Sequence, residues 1–98
     1  MKTIESIRED LSEIRYYYLM KDLFDTGAEI VSPSYLIKKV EEYSNAISQS
    51  PAQLYALYIA LYVNNEKQIS VASEWGYTTY HVKWLNRRLC EYFQQVLD

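Results

Sequence analysis

The sequence predicts an all-α fold of about five helices, and three observations predict it. Apolar residues recur at spacings of three and four in five successive stretches, the period of a helix with one buried face. Only two glycines and two prolines punctuate 98 residues, and each proline follows a serine, the pair that opens a helix. No stretch alternates apolar and polar residues as a half-buried strand does, and there are no repeats or low-complexity tracts. With 49% apolar residues the chain can bury a core, and its length fits one domain or a small domain with an arm.

The first helix is expected over Thr3 to about Phe24. Ile4, Ile7, Leu11, Ile14 and Tyr18 form a heptad-like stripe, and Glu5, Arg8, Glu9, Asp10, Ser12, Glu13 and Arg15 fill the other faces. The stripe could pair two chains into a homodimer or pack on the chain's own core. Tyr16, Tyr17 and Tyr18 point in three directions, which leaves at least one of them exposed. Gly27 ends this element.

Ser32 caps and Pro33 opens the second helix, which runs to about Ser48. Leu36, Ile37, Val40, Tyr43 and Ile47 are its core face, and Lys38, Lys39, Glu41 and Glu42 its solvated face. Ser50 caps the third helix, with Pro51 at its first position and Gln53 completing a capping box. Leu54, Leu57, Tyr58, Leu61 and Tyr62 make its apolar face, Ala56 and Ala60 permit close packing, and Asn64–Asn65 end it in left-handed geometry. The fourth helix spans about Lys67 to Trp75. The fifth spans about Thr79 to Leu97, with Leu89, Tyr92 or Phe93, and Val96 continuing its buried stripe.

Gln68 to Arg87 organises the second half. Counting Gln68 as the first of twenty positions, Ala72 is fifth, Gly76 ninth, Val82 fifteenth and Leu85 eighteenth. Two short helices that cross steeply need a small residue where their backbones approach, and Ala72 supplies it. The turn between them needs positive φ, which Gly76 adopts without a Cβ clash. Val82 and Leu85 face inward from the second helix, Val71 and Trp75 from the first, and Thr78 or Thr79 caps the second. This is the pattern of a helix-turn-helix on a three-helix core; a generic helical hairpin, with Gly76 as an ordinary C-cap, is the alternative. The expected organisation is a helical extension over residues 1–49, for dimerisation or partner binding, and a helix-turn-helix domain over residues 50–98.

Docked as such units dock, the second helix enters the major groove by its N-terminal half. Its outward residues are then Thr78, Thr79, Tyr80, Lys83, Trp84 and Arg87, with His81 and Arg88 beside them. Thr78 and Thr79 can donate to phosphate, Arg87 can take guanine or phosphate, and Arg88 is placed for the backbone. Tyr80 can meet a thymine methyl or a phosphate. Trp84 is unusual on a groove face and could instead cover the edge of the motif or bind protein. Duplex DNA is the expected partner. The net charge of −3 is mildly adverse, but it is unevenly spread. Residues 1–30 hold seven acids and four bases, whereas Thr78 to Cys90 hold Lys83, Arg87, Arg88 and His81 with no acid.

Other chemistry is sparse. His81 is the one histidine and has neither a nucleophile nor further metal ligands nearby. Cys90 is the one cysteine, so no internal disulfide forms, and it reads as a structural thiol. Paired carboxylates and phosphate-binding glycine loops are absent, so no catalytic residue, metal or cofactor is expected and the chain reads as a non-enzyme. Residues 1–10 are charged, without the apolar centre of a signal peptide. The most apolar run, Leu54 to Val63, is ten residues, against about twenty for a membrane span. A cytoplasmic protein with no membrane partner is expected.

From about Ser50 to Val96 the chain resembles the helix-turn-helix of sigma-factor region four. More closely it is similar to short phage and prophage transcription regulators of the ArpU and RinA kind. The residues that carry this are PAQLYALYIALYV and then ISVASEWGYTTYHVKWLNRRLCEYF. Ala72, Gly76, Tyr77, Val82 and Leu85 stand at the places of A-x-x-x-G-Y-S-x-x-x-V-x-x-L, with Thr78 for the serine and Leu89 one turn further on, and Lys83, Arg87 and Arg88 match the basic positions. The resemblance implies promoter binding and activation of phage late genes in a bacterial host cell. The alternative is a phage-encoded inhibitor of a host nucleic-acid enzyme, an anti-CRISPR-like antagonist with a host protein partner on the same scaffold. Eleven tyrosines, two tryptophans and the acidic first third suit that alternative.

Overall fold

The computed structural model describes residues 2–23 and 34–97. They form five helices and no strand: α1 Ile4–Leu23, α2 Ser34–Ile47, α3 Ala52–Tyr58 running on into a π-helical turn Ile59–Val63, α4 Gln68–Trp75 and α5 Thr79–Val96. The expected stops and starts at Gly27, Ser32 and Pro33 lie outside the described residues.

α5 is the hub, packing against each of the other four helices. It can do so because its inward residues cover a wide arc: Val82, Leu85, Leu89, Cys90 and Phe93 are all buried. Phe93 sits between Tyr43 of α2 and Tyr58 of α3, with ring centroids 4.7 and 5.8 Å away. The α1 stripe enters the same core, where Ile7, Leu11 and Ile14 are buried against the chain's own α5 and π-turn. One hydrophobic cluster thus draws on residues from both sides of residue 50. An α1 pairing with a second copy would have to use its outer residues Glu5, Glu9, Ser12 and Tyr16.

Several expectations are corrected. Asp10 does not lie on a solvated face of α1; it is 6% exposed. Tyr43 Oη donates to its Oδ2 at 2.7 Å, Lys2 Nζ reaches the same oxygen at 3.0 Å, and Lys39 Nζ lies 2.9 Å from Oδ1. Lys39 also pairs with Glu13 at 2.8 Å, so it belongs to this network and not to the water-facing side of α2. Burial alone would raise the Asp10 carboxyl, but the hydrogen bonds from Tyr43, Lys39 and Lys2 outweigh it and hold the group below its ordinary value. Burial, reinforced by the Asp10 carboxylate, pushes the Tyr43 hydroxyl well up.

Ile37 is exposed because the buried line of α2 runs through Leu36, Val40, Tyr43 and Ile47, at spacings of four, three and four. Val96 is likewise exposed, and Leu97 takes the buried place beyond the last turn of α5. Ala56 faces solvent, whereas Ala60 packs inward. No capping box forms before α3. Ser50 Oγ turns back to the Ile47 carbonyl at 2.8 Å, and Pro51, at φ −54° and ψ 145°, precedes the helix instead of opening it. Gln53 Nε2 donates to Tyr77 Oη at 3.1 Å.

The end of α3 follows expectation in one respect and departs in another. Asn65 adopts φ 56° as the left-handed stop. The turn before it is π-helical, with the Asn64 N–H on the Ile59 carbonyl at 2.8 Å. Tyr62 in this turn donates to the buried Asn86 of α5. Its hydroxyl is pushed up to about 12, chiefly by burial.

Candidate nucleic-acid interface

The residues expected to shape the bend between α4 and α5 stand where the sequence places them. Val71 and Ala72 of α4 are buried, and Trp75 is half-buried. Gly76 stops α4 at φ 72°, with its own N–H and that of Tyr77 on the Ala72 carbonyl, the latter at 2.9 Å. A Cβ at Gly76 would meet nothing within 4 Å, so the glycine is required by backbone conformation and not by crowding. Thr78 then caps α5: its backbone is extended and its Oγ1 accepts from the His81 N–H at 3.1 Å. Thr79 is the first helical residue and not the cap.

With Val82, Leu85 and Leu89 buried against the core, helical geometry points Tyr80, Trp84 and Arg87 directly outward. Tyr80 is 80% exposed and Trp84 50%; Thr78, His81, Lys83, Arg87 and Arg88 are exposed as well, and Thr79 is half-buried. All eight expected site residues therefore lie along one helix start and its outer surface. The first N–H groups of α5 also lack partners within the helix, as at any helix N-terminus.

Trp84 does not cover the edge of the motif. It belongs to an exposed row that sequence reasoning did not assemble. The Tyr77 ring lies 4.3 Å from His81, His81 lies 5.7 Å from Trp84, and the Arg88 guanidinium sits 5.3 Å from the Trp84 ring centroid. Tyr77 is the residue missed as part of the surface. Part of the signal was available in the spacings of three and four from His81 through Trp84 to Arg88, which place those three on one face of α5, whereas Tyr77 joins them from the turn before the Thr78 cap. Beyond Arg88 the surface opens into a shallow hollow lined by Leu54, Arg88, Glu91, Tyr92 and Gln95. Glu91 there ends the acid-free stretch.

Cys90 is fully buried and free, and burial pushes its thiol up, which suits a core residue and not a nucleophile. Among the described residues, no group of three or more His, Cys, Asp or Glu is placed to hold a metal, and no helix is long and apolar enough to cross a membrane. Comparison with family models, with curated proteins and with solved structures returns no significant match.

Proposed function

We propose that this chain is a duplex-DNA-binding regulator that presents α5 to the major groove. The observation that carries the proposal is the outer surface of α5 from Thr78 to Arg88. Three basic side chains and a histidine share it, no acid interrupts it, and it follows a left-handed stop at Gly76 and a cap at Thr78 in the register a helix-turn-helix requires. Thr78 and Thr79 stand at the helix start, where hydroxyls and free N–H groups suit phosphate. Lys83 and Arg87 are one turn apart and can follow a strand, and Arg87 is free to reach a base edge. Transcription regulation in a bacterial host, of the phage type suggested by the sequence resemblance, is the biological role this proposal carries. Selection from a random duplex pool tests it: enrichment of a common site, absent with Lys83→Ala/Arg87→Ala/Arg88→Ala, supports it, and failure to enrich any site counts against it.

A second proposal is favoured by one observation, the exposure of two large aromatic residues four apart on the same helix, Tyr80 and Trp84. Tyr and Trp are common anchors of protein interfaces. In that case the chain is an antagonist of a host nucleic-acid enzyme, and Trp84→Ala abolishes capture of one defined host protein while the triple basic variant retains it.

A further inference from the structure

We propose that Tyr80 and Trp84 read thymine 5-methyl groups, so that the preferred DNA site is defined by two thymines about two base pairs apart. This rests on the duplex-DNA proposal and adds which groups of the duplex the aromatic residues recognise. The Trp84 indole is half-exposed, with two neighbours on its own helix. Arg88 lies over the ring at 5.3 Å, and the tilted His81 ring is 5.7 Å away. The exposed part of this residue is a largely apolar aromatic surface with one N–H donor.

In the major groove every base-pair edge offers hydrogen-bond donors and acceptors, and its apolar group is the thymine methyl. An indole set against donors and acceptors alone could replace the water on one of them at most, through its single N–H, which is unfavourable. Against a methyl the same ring buries apolar surface on both sides. Tyr80, 80% exposed, presents an apolar ring in the same direction with a hydroxyl at its tip. The two residues are four apart on α5, about 6 Å along the helix axis. Base pairs stack about 3.4 Å apart, which sets the expected spacing of two steps.

Arg88 is thereby assigned to orienting the indole, leaving Arg87, whose side chain is on the outward line with Tyr80 and Trp84, for direct contact with a base or phosphate. The arrangement is independent of the core, because Tyr80 and Trp84 take no part in the buried cluster.

The test uses the full chain and the duplex that it selects, with each thymine replaced in turn by deoxyuridine, which removes the methyl and leaves base pairing intact. At two positions the affinity should fall about fourfold each, the effect of one buried methyl. Trp84→Ala should erase the difference at one position and Tyr80→Ala at the other, with unchanged circular dichroism showing that both variants fold. Binding that is indifferent to every deoxyuridine overturns the inference and leaves the DNA proposal standing. No binding to any duplex at low salt overturns both.

Discussion

The Arg88 guanidinium lies over the Trp84 indole, 5.3 Å from the ring centroid, on the outer surface of the helix that also forms the hub of the core. α5 therefore divides its circumference between two tasks. Val82, Leu85, Leu89 and Phe93 hold the fold, and Tyr80, Trp84, Arg87 and Arg88 are left for a partner. Exposed cation–π pairs contribute roughly 0.5–1 kcal/mol. Arg88→Ala should accordingly lower the thermal midpoint by only a few degrees while freeing the indole. Emission from Trp84, recorded in a Trp75→Phe background, should then shift and become easier to quench with iodide. Unchanged emission and quenching would show that the pair does not persist in solution.

Gly76 should be the most sensitive exposed position of the turn. Its φ of 72° costs an alanine about 1–2 kcal/mol, although a methyl there meets nothing within 4 Å. Gly76→Ala should reduce stability by that amount, a fall of several degrees in melting temperature for a chain of this size. Gly76→Asn should cost less, since asparagine tolerates left-handed geometry better. Equal losses for the two variants would point to a steric cause instead.

Thr78→Ala removes the acceptor for the His81 N–H and should cost about 0.5–2 kcal/mol, with Thr78→Ser close to wild type. Urea titrations of the three proteins decide this. Thr79→Ala should be nearly silent in the same assay, because Thr79 already lies inside the helix.

The Asp10 network should make stability acid-sensitive. The folded carboxyl is held below its ordinary value, so its contribution is present above the unfolded value and is lost as pH falls through the folded one. Unfolding midpoints should therefore drop below about pH 4. Asp10→Asn should cost about 1–3 kcal/mol near neutrality and flatten part of that acid slope. A wild-type slope preserved in Asp10→Asn would assign it to other carboxylates.

The parts of the fold and site that were legible in the sequence are those set by local geometry. Ala72, Gly76, Thr78, Val82 and Leu85 lie within fourteen residues of one another, and their roles follow from helix period, a left-handed stop and a cap. The eight surface residues follow from the same period. What was not legible depends on partners far along the chain. Asp10 and Tyr43 are separated by 33 residues, and nothing near Asp10 distinguishes it from Glu9 or Glu13. Arg15 donates to Asn65, fifty residues on, and closes the end of the π-turn with α1. That turn has no local signature, and the serine–proline pair before α3 resembled a cap because Ser50 and Gln53 have the right spacing. Their side chains find better partners in Ile47 and Tyr77. Trp84 was ambiguous because its surroundings comprise His81 and Arg88 together, and neither alone indicates a row.

The most direct test of the central claim is the salt dependence of binding to duplex DNA, measured for the wild type and for Lys83→Ala/Arg87→Ala/Arg88→Ala. The account predicts binding at low salt that weakens steeply as salt rises, with the slope reduced by about one for each phosphate contact that the variant loses. Absence of binding at low salt, or the same slope and affinity in the triple variant, would contradict it.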